Sequence, residues 1–221
     1  MGYQIIKSGE SQSFPQTHAF LEAAQQQGEG LVLIGQEAGT AWQEKAGQVD
    51  GLPFVAIELG TECLGEHIGE DEGLSNVVGF ARFRLGDADP TPLIELVKKP
   101  YTDAAALAAA RQAFEAAELT VAVCNDFPGR ILNRLVRPYY NAALRRLDEG
   151  LASAADMDKT LCLGLGYPEG PISLLNRTGL QHHYVITQAL YEALGQEPYV
   201  PARRARVAWV QHNRSANGTA T

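Results

Sequence analysis

The chain has 221 residues, 45% of them hydrophobic and 20% charged, an ordinary globular composition that excludes disorder, a collagen-like repeat and a disulfide-dense miniprotein. Eighteen Lys and Arg against 26 Asp and Glu leave a net charge of −8, which argues against a nucleic-acid partner, because phosphate binding needs a basic face. The charge is unevenly spread: residues 1–100 hold 6 basic and 15 acidic side chains and residues 101–221 hold 12 and 11, as expected of two units of different character.

In chain order, Tyr3–Ile6 reads as a weak strand, and Gln16–Gln27 as a helix with Phe20, Leu21 and Ala24 on one face. Gly30–Gly35 is a short apolar run bounded by glycines, the pattern of a strand buried on both faces. A helical turn is predicted at Trp42–Ala46, then strands at Leu52–Leu59, Asn76–Phe83 and Pro92–Lys98. Thr102 is placed to cap an alanine-rich helix reaching about Ala117, with Leu107, Ala110 and Phe114 along one stripe. Leu119–Cys124 is β-branched and reads as the last strand of the sheet.

A long helix is predicted to open at Asp126-Phe127-Pro128-Gly129 and to close at Gly150, with Pro138 inside it as a kink. Ser153-Ala154-Ala155-Asp156 has the form of a capping box ahead of a helix to Leu163. Pro171, Thr178 and Pro201 mark three more helix starts, and Ser215–Thr221 is expected to fray. The fold class expected is therefore α/β followed by all-α: an open sheet over residues 1–124 and helices over 125–221. The helices of the first part are too few and too short for a full doubly wound domain.

Cys63, Cys124 and Cys162 stand at no metal-ligand or redox spacing and read as reduced thiols of a cytoplasmic protein. No apolar run approaches the roughly 20 residues of a membrane span, so no membrane partner is expected. The start, MGYQIIKSGE, has neither the basic flank nor the apolar stretch of a secretion signal.

Dinucleotide binding needs glycines that let the chain approach a pyrophosphate at a helix N-terminus. The first strand–helix stretch, IIKSGESQSFPQTH, has one glycine; Gly35 and Gly39 lack a third partner, and Gly164-Leu165-Gly166 follows a helix. No cofactor is expected to be held by this chain, and no metal. His18, His67, His182, His183 and His212 read as surface or helix-end residues. His182 and His183 point to different helix faces, which disfavours a shared metal. Glu70-Asp71-Glu72 reads as a solvated loop, and Arg203, Arg204 and Arg206 as a solvated face or a dimer contact, with an anionic ligand as the other reading.

The stretch Asp126–Pro171, DFPGRILNRLVRPYYNAALRRLDEGLASAADMDKTLCLGLGYPEGP, carries three motifs in order over 46 residues without a gap. They are a D-x-P-G-[F/R]-[I/V]-x-N-R helix start, an E-G-x-A-[S/T]-x-x-D-[I/M]-D link and an L-G-x-G-Y-P-x-G-P turn. With NVVGFARF and PLIELV upstream, the chain over roughly 76–212 resembles the L-3-hydroxyacyl-CoA dehydrogenase family. The resemblance implies a reduced Rossmann-like domain followed by the helical C-terminal domain, as in the second half of the longer bacterial members.

Carried over residue by residue, the family's catalytic histidine falls on Ala81 and its glutamate partner on Glu95. The substrate-side asparagine falls on Asn133, the active-site serine on Gly60 beside Thr61, and the asparagine after the histidine on Arg84. Glu95 and Asn133 are thus the family site positions retained; Glu95 has a second reading, as an ion-pair partner of Arg82 or Arg84. Since alanine cannot abstract a proton, the chain is expected not to catalyse the family's reaction alone. Its expected role is an acyl-CoA cleft and dimerisation module of fatty-acid or aromatic-acid breakdown. It would bind an acyl-CoA ester and pair with a second copy or with a catalytic dehydrogenase domain, the intact family enzyme using NAD. The alternative is an active NAD-dependent L-3-hydroxyacyl-CoA dehydrogenase.

Overall fold

The computed structural model describes residues 2–70 and 73–218, with side chains through 216. Asp71 and Glu72 of the acidic run and the end of the tail lie outside the described residues. By contacts the chain forms two compact units: the residues up to Arg84 with Pro90–Ile131, and Leu85–Asp89 with the chain from Leu132 onward.

The first unit holds a six-stranded sheet of β1 (Tyr3–Lys7), β2 (Gly30–Ile34), β3 (Val55–Glu58), β4 (Val77–Arg82), β5 (Leu93–Lys98) and β6 (Thr120–Asn125). The spatial order is β1-β2-β3-β4-β5-β6; β4 and β5 are antiparallel and every other pair is parallel. Every residue of β2 and β3 is buried, as the apolar runs require of strands covered on both faces. Alternation by two sends the side chains to two layers. Val32, Ile34, Ala56, Val78, Phe80, Ile94 and Leu96 pack with Phe14, Phe20 and the alanine stripe of α4 (Ala104–Glu115). Leu31, Leu33, Val55, Ile57, Val77 and Val97 pack with Ala38, Ala41 and Trp42 of α2 (Ala38–Lys45).

Several helix starts differ from the sequence expectation. The first helix, α1 (Ala19–Glu22), is one turn, with His18 Nδ1 accepting the Phe20 amide at 3.0 Å. It stops because the Gln25 amide donates to the Tyr3 carbonyl at 2.8 Å, drawing the chain onto the sheet edge. The cap of α4 is Asp103, whose carboxylate accepts from Ala105 N, and not Thr102, whose hydroxyl accepts from Lys99 N. A further one-turn helix, α3 (Gly65–Ile68), follows β3.

The segment after β6 departs most. Gly129 and Arg130 take φ of +73° and +52°, so the long helix, α5 (Leu132–Asp148), begins after them and not at Asp126. The Asp126 carboxylate is committed elsewhere, accepting the Leu64 and Gly65 amides at 2.7 and 2.8 Å.

In the second unit, α5 is followed by α6 (Ala154–Leu165), α7 (Pro171–Thr178), α8 (Leu180–Leu194) and α9 (Arg203–Gly218). Ser153 caps α6 as expected, accepting from Asp156 N. Thr178 ends α7 and does not open a helix; α8 opens after Gly179, at φ +89°. The spacing of the D-M-D and G-Y-P-E-G-P stretches has a structural cause. Buried Asp158 of α6 accepts the Ile172 and Ser173 amides, both at 2.9 Å, and so caps α7. A Cβ at Gly170 would stand 2.2 Å from Asp158 Cβ, so only glycine admits that approach.

Candidate functional site

In the sheet unit, Ala81 of β4 stands directly opposite Glu95 of β5. Opposed residues of an antiparallel pair project to the same face, so a side chain at 81 is the immediate neighbour of the Glu95 carboxylate. Glu95 is 1% exposed and accepts the Ile131 amide at 2.9 Å. It forms an ion pair with Arg130, Nε to Oε2 at 3.7 Å, a cation other than the expected Arg82 and Arg84. Arg82 bonds the carbonyls of Ser13, Pro90 and Thr91 and lies over the Phe14 ring at 5.2 Å. Arg130 also donates from Nη2 to the Gly60 carbonyl. One guanidinium thus joins Gly60 and Glu95, two of the positions that the sequence resemblance singled out. Burial lowers the Arg130 pKa, and Glu95, Glu62 and Asp126 nearby oppose that shift.

A second cluster lies at the carboxyl ends of β1, β2 and β3. The buried Glu58 carboxylate accepts from Ser11 Oγ (2.8 Å), Ser13 N (2.6 Å) and Gly35 N (2.7 Å). The loops after β1 and β2 are therefore closed onto a carboxylate supplied by β3. In the loop after β3, Glu62 Oε1 accepts from Gly60 N at 2.9 Å and stands 3.4 Å from His67 Nε2. Burial alone would raise the Glu62 pKa, but these hydrogen bonds outweigh it and hold it at about 2. The Cys63 and Cys124 thiols are pushed up to about 11 by burial and by neighbouring carboxylates, which leaves them poor nucleophiles.

In the helical unit, Asn133 lies in the first turn of α5, and its Oδ1 accepts from Arg137 Nε at 2.9 Å. Arg137, 2% exposed, also reaches His183 Nδ1 at 3.0 Å, while His183 Nε2 meets Asn141 Oδ1 at 3.0 Å. Asn141 donates to Thr187 Oγ1 at 2.8 Å, and Thr187 to the Tyr199 carbonyl at 2.9 Å. Burial pushes His183 down to about 3, with Arg137 adding to the effect, and lowers Arg137 to about 10. The surface or helix-end reading of His183 is therefore corrected: it is a neutral core residue bridging α5 and α8. His18 caps α1 and His182 stands 3.3 Å from Asp87. Among the described residues no group of three His, Cys, Asp or Glu is placed to hold a metal.

Sequence reading missed Arg130, Arg137 and Glu58. Only Glu58 left a signal, a charge closing an otherwise apolar strand run; Arg130 reaches Glu95 and Arg137 reaches His183 across 35 and 46 residues of chain.

The fold and these positions define the class: a sheet unit of reduced Rossmann type joined to a helical domain. Residues 129–219 match the family model "3-hydroxyacyl-CoA dehydrogenase, C-terminal domain". A 3-hydroxybutyryl-CoA dehydrogenase of Mycobacterium tuberculosis is 36% identical over 112 residues, 50% of this chain and 39% of that one. The solved (S)-3-hydroxybutyryl-CoA dehydrogenase of Ralstonia eutropha has the same fold (TM-score 0.66, 22% identity, covering 81% of this chain and 64% of that one). So does a 3-hydroxybutyryl-CoA dehydrogenase from Escherichia coli (TM-score 0.72, 20% identity, 84% of this chain and 40% of that one). Residues 129–219 of the chain are thus similar to the C-terminal domain of the 3-hydroxyacyl-CoA dehydrogenases. The chain spans about two fifths of the length of the curated relatives it matches.

Proposed function

We propose that this chain is the acyl-CoA cleft and dimerisation part of a 3-hydroxyacyl-CoA dehydrogenase of fatty-acid or aromatic-acid breakdown, and that it does not carry out hydride transfer alone. The observation that carries this reading is the register that sets Ala81 opposite Glu95. In the chemistry the aligned motifs imply, a histidine there takes the hydroxyl proton. A methyl group has no lone pair to accept one, and a positioned base contributes about 10²–10⁴-fold in rate.

The sheet unit does not fit a nicotinamide dinucleotide. Such ligands bind outside the carboxyl ends of parallel strands where strand order reverses. Here the order runs from β1 to β6 without reversal among the described residues. The Gly35 and Ser13 amides and the Ser11 hydroxyl at that end are occupied by Glu58, so a pyrophosphate would meet a carboxylate in place of free donors.

What remains is the helical unit, with Asn133 and the family motifs. Its role is to bind an acyl-CoA ester weakly, or to complete a cleft and a dimer with a second copy or a catalytic dehydrogenase domain. The Escherichia coli chain, of which this one covers 40%, supports a place within a longer enzyme. Three free thiols and the absence, among the described residues, of a helix long and apolar enough to cross a membrane support a cytoplasmic setting.

Calorimetric titration of the isolated chain tests the reading. NAD should give no binding heat, acetoacetyl-CoA should give weak binding, and sedimentation should give a dimer. Micromolar NAD affinity would overturn the cofactor argument, and a clean monomer at micromolar protein would overturn the dimer.

A further inference from the structure

We propose that Arg137 is a positioning residue: it holds the Asn133 carboxamide by its oxygen, so that Asn133 offers N–H donors to the carbonyl oxygen of an acyl group. The ligand half of this inference rests on the acyl-CoA cleft reading; the orientation of Asn133 does not.

Asn133, Arg137 and Asn141 follow one another at intervals of four along α5 and so share one face of the helix. A guanidinium has N–H donors and no acceptor. Both groups that it meets must therefore accept: Asn133 Oδ1 from Nε at 2.9 Å, and His183 Nδ1 from Nη1 at 3.0 Å. The His183 proton then sits on Nε2, which donates to Asn141 Oδ1 at 3.0 Å. That leaves Asn141 Nδ2 to donate to Thr187 Oγ1 at 2.8 Å and to the Pro198 carbonyl at 3.1 Å. The Thr187 hydroxyl gives its proton to the Tyr199 carbonyl at 2.9 Å. Each hydrogen bond of the network has one direction, because a group that only donates stands at one end and a carbonyl that only accepts at the other.

The far end is anchored as well. Pro138 has no N–H for the Arg134 carbonyl one turn back, and the Tyr199 hydroxyl donates to that carbonyl at 3.2 Å. Arg137, Asn141, His183 and Thr187 are each at most 2% exposed, so water does not compete for their bonds. Asn133 is the side chain of the network that is only partly buried. A reversed carboxamide would set its NH2 group against the guanidinium, donor against donor. With Oδ1 held inward, Asn133 presents its Nδ2 hydrogens, which match an acyl carbonyl oxygen.

NMR relaxation of the Asn133 side-chain NH2 in the full chain tests the orientation without a ligand. Its order parameter should be near that of rigid backbone, about 0.85, and should fall below about 0.6 in Arg137→Met. A mobile Asn133 carboxamide in the parent would overturn the proposal, whether or not the variant folds. Calorimetry tests the ligand half through the ratio of the Kd of CoA to that of acetoacetyl-CoA, which isolates the acyl group. Arg137→Met and Asn133→Ala should each lower this ratio about fivefold, as for one lost hydrogen bond, and the double variant no further. CoA itself should bind parent and variants alike. An unchanged ratio in Arg137→Met, or additive losses in the double variant, would overturn the proposal. Failure of the parent to bind either compound would overturn the cleft reading and the ligand half with it, whereas a rigid carboxamide would still support the role of Arg137.

Discussion

Replacing Glu58 by glutamine tests whether the carboxyl ends of β1 and β2 are closed by an internal anion. The native carboxylate accepts at both oxygens: Ser13 N at one, Ser11 Oγ and Gly35 N at the other. A carboxamide has an acceptor on one side only and turns N–H groups toward a donor on the other. At least one charge-assisted bond of about 1.5–3 kcal/mol is lost, and a buried donor is left without an acceptor, at about 1–3 kcal/mol. The two effects overlap, so the net loss should be about 2–4 kcal/mol. At roughly 2–4 °C per kcal/mol for a chain of this size, the melting temperature should fall by about 5–15 °C. Calorimetry and urea titration measure this directly, the urea slope remaining unchanged if the variant keeps its fold. A Glu58→Gln variant melting within about 1 °C of the parent would refute the closure of these loops on Glu58.

Asp158→Ala removes the acceptor of two α7 amides and should cost about 2–4 kcal/mol in urea unfolding. Gly170→Ala drives a methyl into Asp158 and should lower the melting temperature by several degrees, an effect absent from Gly164→Ala, where nothing lies within 4 Å of the added methyl. His183 sets a pH dependence. Its folded pKa of about 3 lies below the unfolded value near 6.5, so between these values the unfolded state binds the extra proton. Stability is complete above about pH 6.5 and is lost on acidification at up to about 1.4 kcal/mol per pH unit, a slope that His183→Gln should flatten between pH 6.5 and 5.

The strands were legible because each buried run is short, apolar and bounded by turn residues, as at Gly30–Ile34 and Val55–Glu58. Helix ends were less so, since tertiary partners compete for the same backbone groups. The Gln25 amide goes to Tyr3, and Asp126, well suited in sequence to cap a helix, goes to Leu64 and Gly65, 61 to 62 residues away. The antiparallel β4–β5 pairing was equally hidden, because periodicity carries no direction. Of the positions the resemblance pointed to, Ala81 and Glu95 stand opposite each other in the sheet register. The cation at Glu95 was not legible: Arg130 reaches it only because two successive residues adopt positive φ.

On the proposed reading this chain lacks both the base and the cofactor site for hydride transfer. The most direct measurement is the rate of NADH oxidation with acetoacetyl-CoA by the purified chain, followed by absorbance. The account predicts no turnover above the enzyme-free rate. Robust oxidation, abolished by Glu95→Gln, would contradict it.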